Sequence, residues 1–159
     1  MLFQDIIFGP IKSRRLGISL GINLLPLSTK FCSFDCLYCE CGLGDIKNRG
    51  ILPKTEQVIA ALDLKLQELL AKGVVPDVLT FAGNGEPTLH PDFPAIVDAV
   101  VVLRDRVVPQ AKVSVLSNSS RIDKAEIRAA LLKVDNNILK LDSALESTVQ
   151  WLNRPVKKT

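Results

Sequence analysis

The feature that most narrows the choice of fold is an alternation of short apolar stretches with loops and then with segments of helical spacing. Gly17 to Leu24 (GISLGINL) reads as a buried strand ahead of Pro26. Thr55, with Glu56 in the first turn, caps a helix in which Val58, Ile59, Leu62, Leu66, Leu69 and Leu70 recur at helical spacing up to Gly73. Val78 to Phe81 is a second strand, followed by a loop dense in Gly and Pro and a helix from near Asp92. Val113 to Leu116 is a third, with Asp123 and Glu126 in capping-box spacing before a helix through Leu132. Ile138 to Leu141 begins a fourth.

Apolar strands alternating with amphipathic helices argue for parallel β/α units. Their right-handed crossovers put the helices outside and gather the loops at the C-terminal ends of the strands. Every unusual motif of this chain sits at such an end. The cysteine loop, Gly83–Pro87, Ser117–Asn118 and Asp142 are therefore expected to cluster. A flavodoxin-like open sheet makes the same prediction.

The 159 residues, 47% hydrophobic and 23% charged, suit one globular domain. No run of eighteen uncharged apolar residues occurs, and the start, MLFQDIIFGPIKSRR, lacks the order of a secretory signal, so a cytoplasmic chain without membrane contact is expected. A net charge of +3 is too small to argue for nucleic-acid binding, although Lys12, Arg14 and Arg15 form a local basic cluster.

Four cysteines crowd between Cys32 and Cys41, a poor arrangement for stapling a domain and a good one for surrounding a metal. In CSFDCLYC the gaps let Cys32, Cys36 and Cys39 converge on three corners of a cubane cluster, leaving one iron open. Zinc is the main rival, with Cys41 or His90 completing four-coordination. Nothing in the three-cysteine pattern requires Cys41, and His90 in its proline-rich turn reads as structural or solvent-facing.

This spacing, with Tyr38 just before the last cysteine and GNGEPTL downstream, resembles the signature of the radical S-adenosylmethionine (SAM) superfamily. The resemblance implies a (β/α)6 partial TIM barrel and a 4Fe–4S cluster whose open iron chelates the methionine part of SAM. It further implies reductive cleavage of SAM to a 5′-deoxyadenosyl radical for hydrogen abstraction, with an external low-potential electron donor. Gly83, Asn84, Gly85 and Glu86 resemble the motif beside SAM's amino group, where small residues allow close approach and Glu86 accepts hydrogen bonds. The alternative for the same residues is a tight turn capped by Glu86. Ser117 and Asn118 look like residues that approach SAM's ribose or carboxylate, or else cap the following helix. Tyr38 corresponds to an aromatic near adenine, or to core packing. Asp142 resembles an acidic SAM or substrate contact, and at most one of Lys140 and Asp142 is expected to face the cavity.

The opening FGPIKSRRLGISLGINLLP also resembles that of a radical SAM group related to the enzymes that build tricyclic wyosine bases in tRNA, which would make tRNA a candidate substrate and bring Arg14 and Arg15 near the cluster loop. Four strands before Thr159 fall short of six. The expectation is thus an incomplete core over residues 1–159, cut after the fourth β/α unit, with an exposed sheet edge that promotes oligomerisation. A catalytically silent folded fragment and a zinc-dependent nucleic-acid-binding module are the alternatives to an enzyme.

Overall fold

The computed structural model describes residues 1–43 and 50–156. Five strands form one sheet in the order β1 (Ile7–Ser13), β2 (Gly17–Ile22), β3 (Val78–Phe81), β4 (Lys112–Ser117) and β5 (Asn136–Leu139). β1 and β2 are an antiparallel hairpin, and every later neighbour is parallel. The helices α1 (Thr55–Ala71), α2 (Phe93–Val107) and α3 (Ala125–Leu131) connect the parallel strands in turn, and α4 (Glu146–Leu152) follows β5. A mostly parallel sheet with its crossover helices is the architecture of a partial (β/α) barrel.

The register explains the two faces. Leu20, Leu79 and Val113 stand in one row and Ile22, Phe81 and Val115 in the next, all buried against the helices. α1 contributes Val58, Leu62, Leu66 and Leu69 to that core, and α2 contributes Phe93, Ile96, Val97, Val100 and Leu103. On the opposite face run Gly21, Thr80, Ser114 and Asn136. Ser19 and Thr80 share a 2.8 Å hydrogen bond, and the Asn136 amide donates to Ser114 Oγ at 2.9 Å. The loops that follow β2, β3, β4 and β5 leave from one end of the sheet.

The structure adds a strand and moves some boundaries. β1 has no counterpart among the expected strands because IFGPIKS carries a Gly-Pro pair, which argues against a central strand but is tolerated at an edge. The start of α1 is stabilised by Gln57, whose side chain accepts from Lys54 N–H at 2.8 Å, and Thr55 is already helical. α3 begins after Lys124 rather than Asp123. There Arg128 donates to the carbonyls of Ile122 and Asp123, which closes the preceding turn. β5 pairs two residues earlier than expected, because the Ser114–Asn136 and Leu116–Ile138 register fixes it against β4. Among the described residues no helix is long and apolar enough to cross a membrane.

Candidate functional site

The cysteine loop is docked on the glycine-rich turn by backbone pairing. Phe31 N–H donates to Asn84 O at 2.8 Å, Glu86 N–H donates to Phe31 O at 3.1 Å, and Phe31 and Gly85 form a parallel bridge. This contact requires glycine. Gly85 has φ +143°, and a Cβ there would lie 1.9 Å from Phe31 O. At Gly83 the obstacle would be the Asn23 side chain, 2.2 Å away. Both glycines thus serve a close approach of protein to protein. Asn84 is fully buried and commits its side chain internally: Nδ2 donates to Phe3 O and Pro26 O, and Oδ1 accepts from Phe3 N–H. Its backbone is engaged as well: the N–H donates to Asn23 Oδ1 at 3.1 Å, and the carbonyl accepts from Phe31.

Glu86 joins the ends of β3 and β4. Its Oε1 accepts from Thr88 N–H, Thr88 Oγ and Ser117 Oγ at 3.1, 2.6 and 2.8 Å, and its Oε2 accepts from Asn118 N–H at 2.6 Å. Glu86 is 2% exposed and caps the short 3-10 turn Pro87–Leu89. Ser117 accepts from Ser119 N–H at 3.0 Å. Asn118 reaches back to the cysteine loop, donating to Ser33 Oγ at 2.9 Å and to Cys32 Sγ at 3.5 Å. His90 is buried and structural. Its Nδ1 accepts from Asp92 N–H, so Nε2 carries the proton and donates to Pro53 O at 2.9 Å.

All four thiols are free. Burial, with nearby Glu86 acting in the same direction, pushes the Cys32 thiol up to about 11 despite the pull of Lys30. Burial and the neighbouring Cys39 also raise Cys41, whose sulfur lies 3.5 Å from Gly83 O. Lys30 is 3% exposed and pairs with Asp35 at 2.8 Å. Burial opposes its charge, yet Asp35 and the sulfurs of Cys39 and Cys32 outweigh burial and hold its pKa above the ordinary value.

Beyond β5 a second polar cluster meets Cys36. Lys140 Nζ donates to Cys36 Sγ at 3.2 Å and to Tyr38 OH at 2.6 Å, and pairs with Asp142 at 2.8 Å. It also lies over the Phe34 and Tyr38 rings, 5.4 and 5.1 Å from their centroids. Buried Asn153 donates to Cys36 Sγ at 3.5 Å and to Asp142. Tyr38 OH also donates to Asp142. Burial tends to raise Asp142, but Lys140, Tyr38 and Asn153 hold it down at about 2. Lys140 and Asp142 thus face one cluster together, against the expectation of at most one: residues two apart along an extended chain point to the same side.

The expected clustering is therefore present, with Phe31 on Gly85, Asn118 on Cys32 and Tyr38 on Asp142. Arg14 and Arg15 are the exception. They occupy the turn between β1 and β2, at the N-terminal end of the parallel strands, about 20 Å of strand away from the cysteine loop. Lys30 and Asn153 are the residues that sequence reasoning missed. The first stands two positions before the cysteine motif, where a lysine could have been noticed; the second is brought in only by tertiary contact.

Among the described residues no three His, Cys, Asp or Glu side chains are grouped tightly enough to hold a single metal ion. The donor set nevertheless fits an iron–sulfur cluster. None of its thiols is in a disulfide, and each has a nearby ammonium to offset negative charge: Lys30 for Cys32 and Cys39, Lys140 for Cys36.

Residues 27–156 match the model of the radical SAM superfamily. A UPF0026 protein of Methanocaldococcus jannaschii is 36% identical over 156 residues, covering 97% of this chain and 46% of its own length. A UPF0026 protein of Helicobacter pylori is 34% identical over 154 residues, 96% of this chain and 47% of the relative. The GTPase Obg of Brachyspira hyodysenteriae is also similar, at 34% identity over 96% of this chain but 21% of that protein. The chain spans about half the length of the UPF0026 relatives it matches. A match running from ahead of the cysteine loop to beyond α4 takes in all the parallel units except β2, and the chain belongs to the radical SAM superfamily.

Proposed function

We propose that Cys32, Cys36 and Cys39 hold a 4Fe–4S cluster with one iron open to SAM, and that the whole protein is a radical SAM enzyme. When bound, the cluster supplies the electron that cleaves SAM reductively to a 5′-deoxyadenosyl radical for hydrogen abstraction, drawing on an external low-potential donor. The observation that carries this reading is the docking of the three-thiol loop on Gly85 through Phe31.

The protein's own residues have distinct tasks in this proposal. The Phe31 pairing orients the thiols, and Glu86 fixes the ends of β3 and β4 so that Ser117 and Asn118 border the same space. Gly83, Asn84 and Gly85 hold their turn against the cysteine loop, and SAM's amino group rests beside that turn. Tyr38 keeps an exposed ring for adenine while its hydroxyl is held by Asp142 and Lys140. Asp142, engaged by three partners, acts on SAM or substrate through that network.

The same proposal takes residues 1–159 as the first part of a radical SAM core. The greater length of the relatives and the open edge at β5 support it. Arg14 and Arg15, which the resemblance to tRNA-modifying enzymes would bring near the cysteine loop, lie at the other end of β2, so a tRNA substrate would meet them away from that loop.

Anaerobic reconstitution with iron and sulfide tests the reading. Alanine at Cys32, Cys36 or Cys39 should sharply reduce iron and sulfide uptake, whereas Cys41→Ala should keep most of it. Equal loss in Cys41→Ala, or stoichiometric zinc without sulfide, would overturn the ligand set. The full-length protein, given SAM and a low-potential reductant, should release 5′-deoxyadenosine, and a clustered protein that binds SAM without cleaving it would overturn the enzyme assignment.

A further inference from the structure

We infer that Lys140 and Asn153 form a donor pair on the Cys36 sulfur that sets the reduction potential of the cluster held there. This rests on the reading of Cys36 as a cluster ligand. Both donors reach the sulfur from distant sequence: Lys140 Nζ lies 3.2 Å from Cys36 Sγ and is 104 positions away, and Asn153 Nδ2 lies 3.5 Å from it and is 117 positions away. Reduction adds one negative charge, and a cation or an N–H donor at a ligating sulfur stabilises the more negative form, which raises the potential.

The placement is built rather than incidental. Lys140 is held on three sides, by Asp142 at 2.8 Å, by Tyr38 OH at 2.6 Å and by the Phe34 and Tyr38 rings. Asn153 is 2% exposed, and its amide is shared between Cys36 and Asp142. Asp142 is the counterweight: its carboxylate lies against the Lys140 ammonium and offsets part of the charge felt at the sulfur. Removing Lys140 and removing the Asp142 charge must therefore move the potential in opposite directions. A merely structural role for either residue predicts no such opposition.

The test is an anaerobic redox titration of the reconstituted 159-residue chain, without SAM, following the reduced cluster by electron paramagnetic resonance. One electron passes from titanium(III) citrate, itself oxidised to titanium(IV), to the oxidised cluster, and no bond is made or broken. At the wild-type midpoint, Lys140→Met should lower the ratio of reduced to oxidised cluster about tenfold, a one-electron shift of about 59 mV to more negative potential. Asp142→Asn should shift the midpoint upward, Lys140→Arg should stay near wild type, and Asn153→Leu should fall in the same direction as Lys140→Met. Unchanged midpoints, or shifts of Lys140→Met and Asp142→Asn in the same direction, overturn the inference. If Lys140→Met takes up no iron, Asp142→Asn decides alone, and a midpoint that does not rise overturns it. A wild-type chain that takes up no iron and sulfide instead removes the ligand assignment, and the inference falls with it.

Discussion

Gly85 shows how much the site depends on a single missing methyl group. Sequence reasoning reads its smallness as room for SAM, but the atom that a Cβ would strike is Phe31 O. Gly85→Val should therefore unseat the cysteine loop itself, lowering stability by about 2 kcal/mol and reducing iron uptake together with SAM binding. Urea denaturation and iron content measure both, and a variant with unchanged stability and full iron would return the glycine to a purely ligand-facing role. Glu86 makes a second prediction of this size. In Glu86→Gln the amide that replaces one oxygen must meet a donor, Asn118 N–H or the Ser117 and Thr88 groups. A loss of about 1–3 kcal/mol is expected in urea denaturation, because a buried donor is left unpaired. An unchanged midpoint would show that the junction of β3 and β4 does not depend on this carboxylate. The motif made Glu86 legible as an acceptor and as a cap, whereas no local signal marks Asn153, which matters only because α4 packs beside the cysteine loop.

At the scale of elements, α2, β4 and β5 are tied by one ion pair. Asp135 accepts from Val113 N–H at 2.7 Å and from Arg104 at 2.9 Å, while Arg104 also donates to Ala111 O at 2.7 Å. Burial tends to raise the Asp135 pKa, but the Val113 amide and the Arg104 guanidinium together hold it below the ordinary carboxylate value. A folded-state pKa below the unfolded one means that the contribution is present above about pH 4, the unfolded value, and is lost as pH falls through the lower folded value. The stability difference between wild type and Asp135→Asn should thus be largest near neutrality and shrink below about pH 4. Urea midpoints at neutral and acid pH check it, and a gap that widens in acid would contradict the sign. This junction also explains why β5 starts at Asn136, a polar residue that no apolar pattern selects. Asp135 N–H donates to Val113 O, and the strand is set in register from there.

At the scale of the whole molecule the sheet ends on β5, which presents backbone pairing groups beside half-exposed Ile138 and Leu139. Leu141, Leu145 and Trp151 continue the exposed apolar surface at 82%, 67% and 67% accessibility. Such an edge favours pairing with another strand. The 159-residue chain should associate as its concentration rises, and Leu139→Lys should weaken that association; sedimentation velocity over a concentration series measures it. A chain that stays monomeric at all concentrations would show that this edge does not drive self-pairing.

The order of the parallel units and the set of loops that meet at one end are legible in the residues alone. Hydrophobic period and loop chemistry are local properties, and right-handed crossovers turn them into topology without further information. The cysteine spacing and the glycine-rich turn belong to the same local class. Tertiary structure alone decided which groups touch the sulfurs and which glycine contacts are made by protein. Lys140 and Asn153 meet Cys36 across more than a hundred residues, and Phe31 closes on Gly85 across a whole β/α unit. The physical reason is that a side chain's partner across such a separation depends on where packing brings two elements together, which no periodicity within either element encodes.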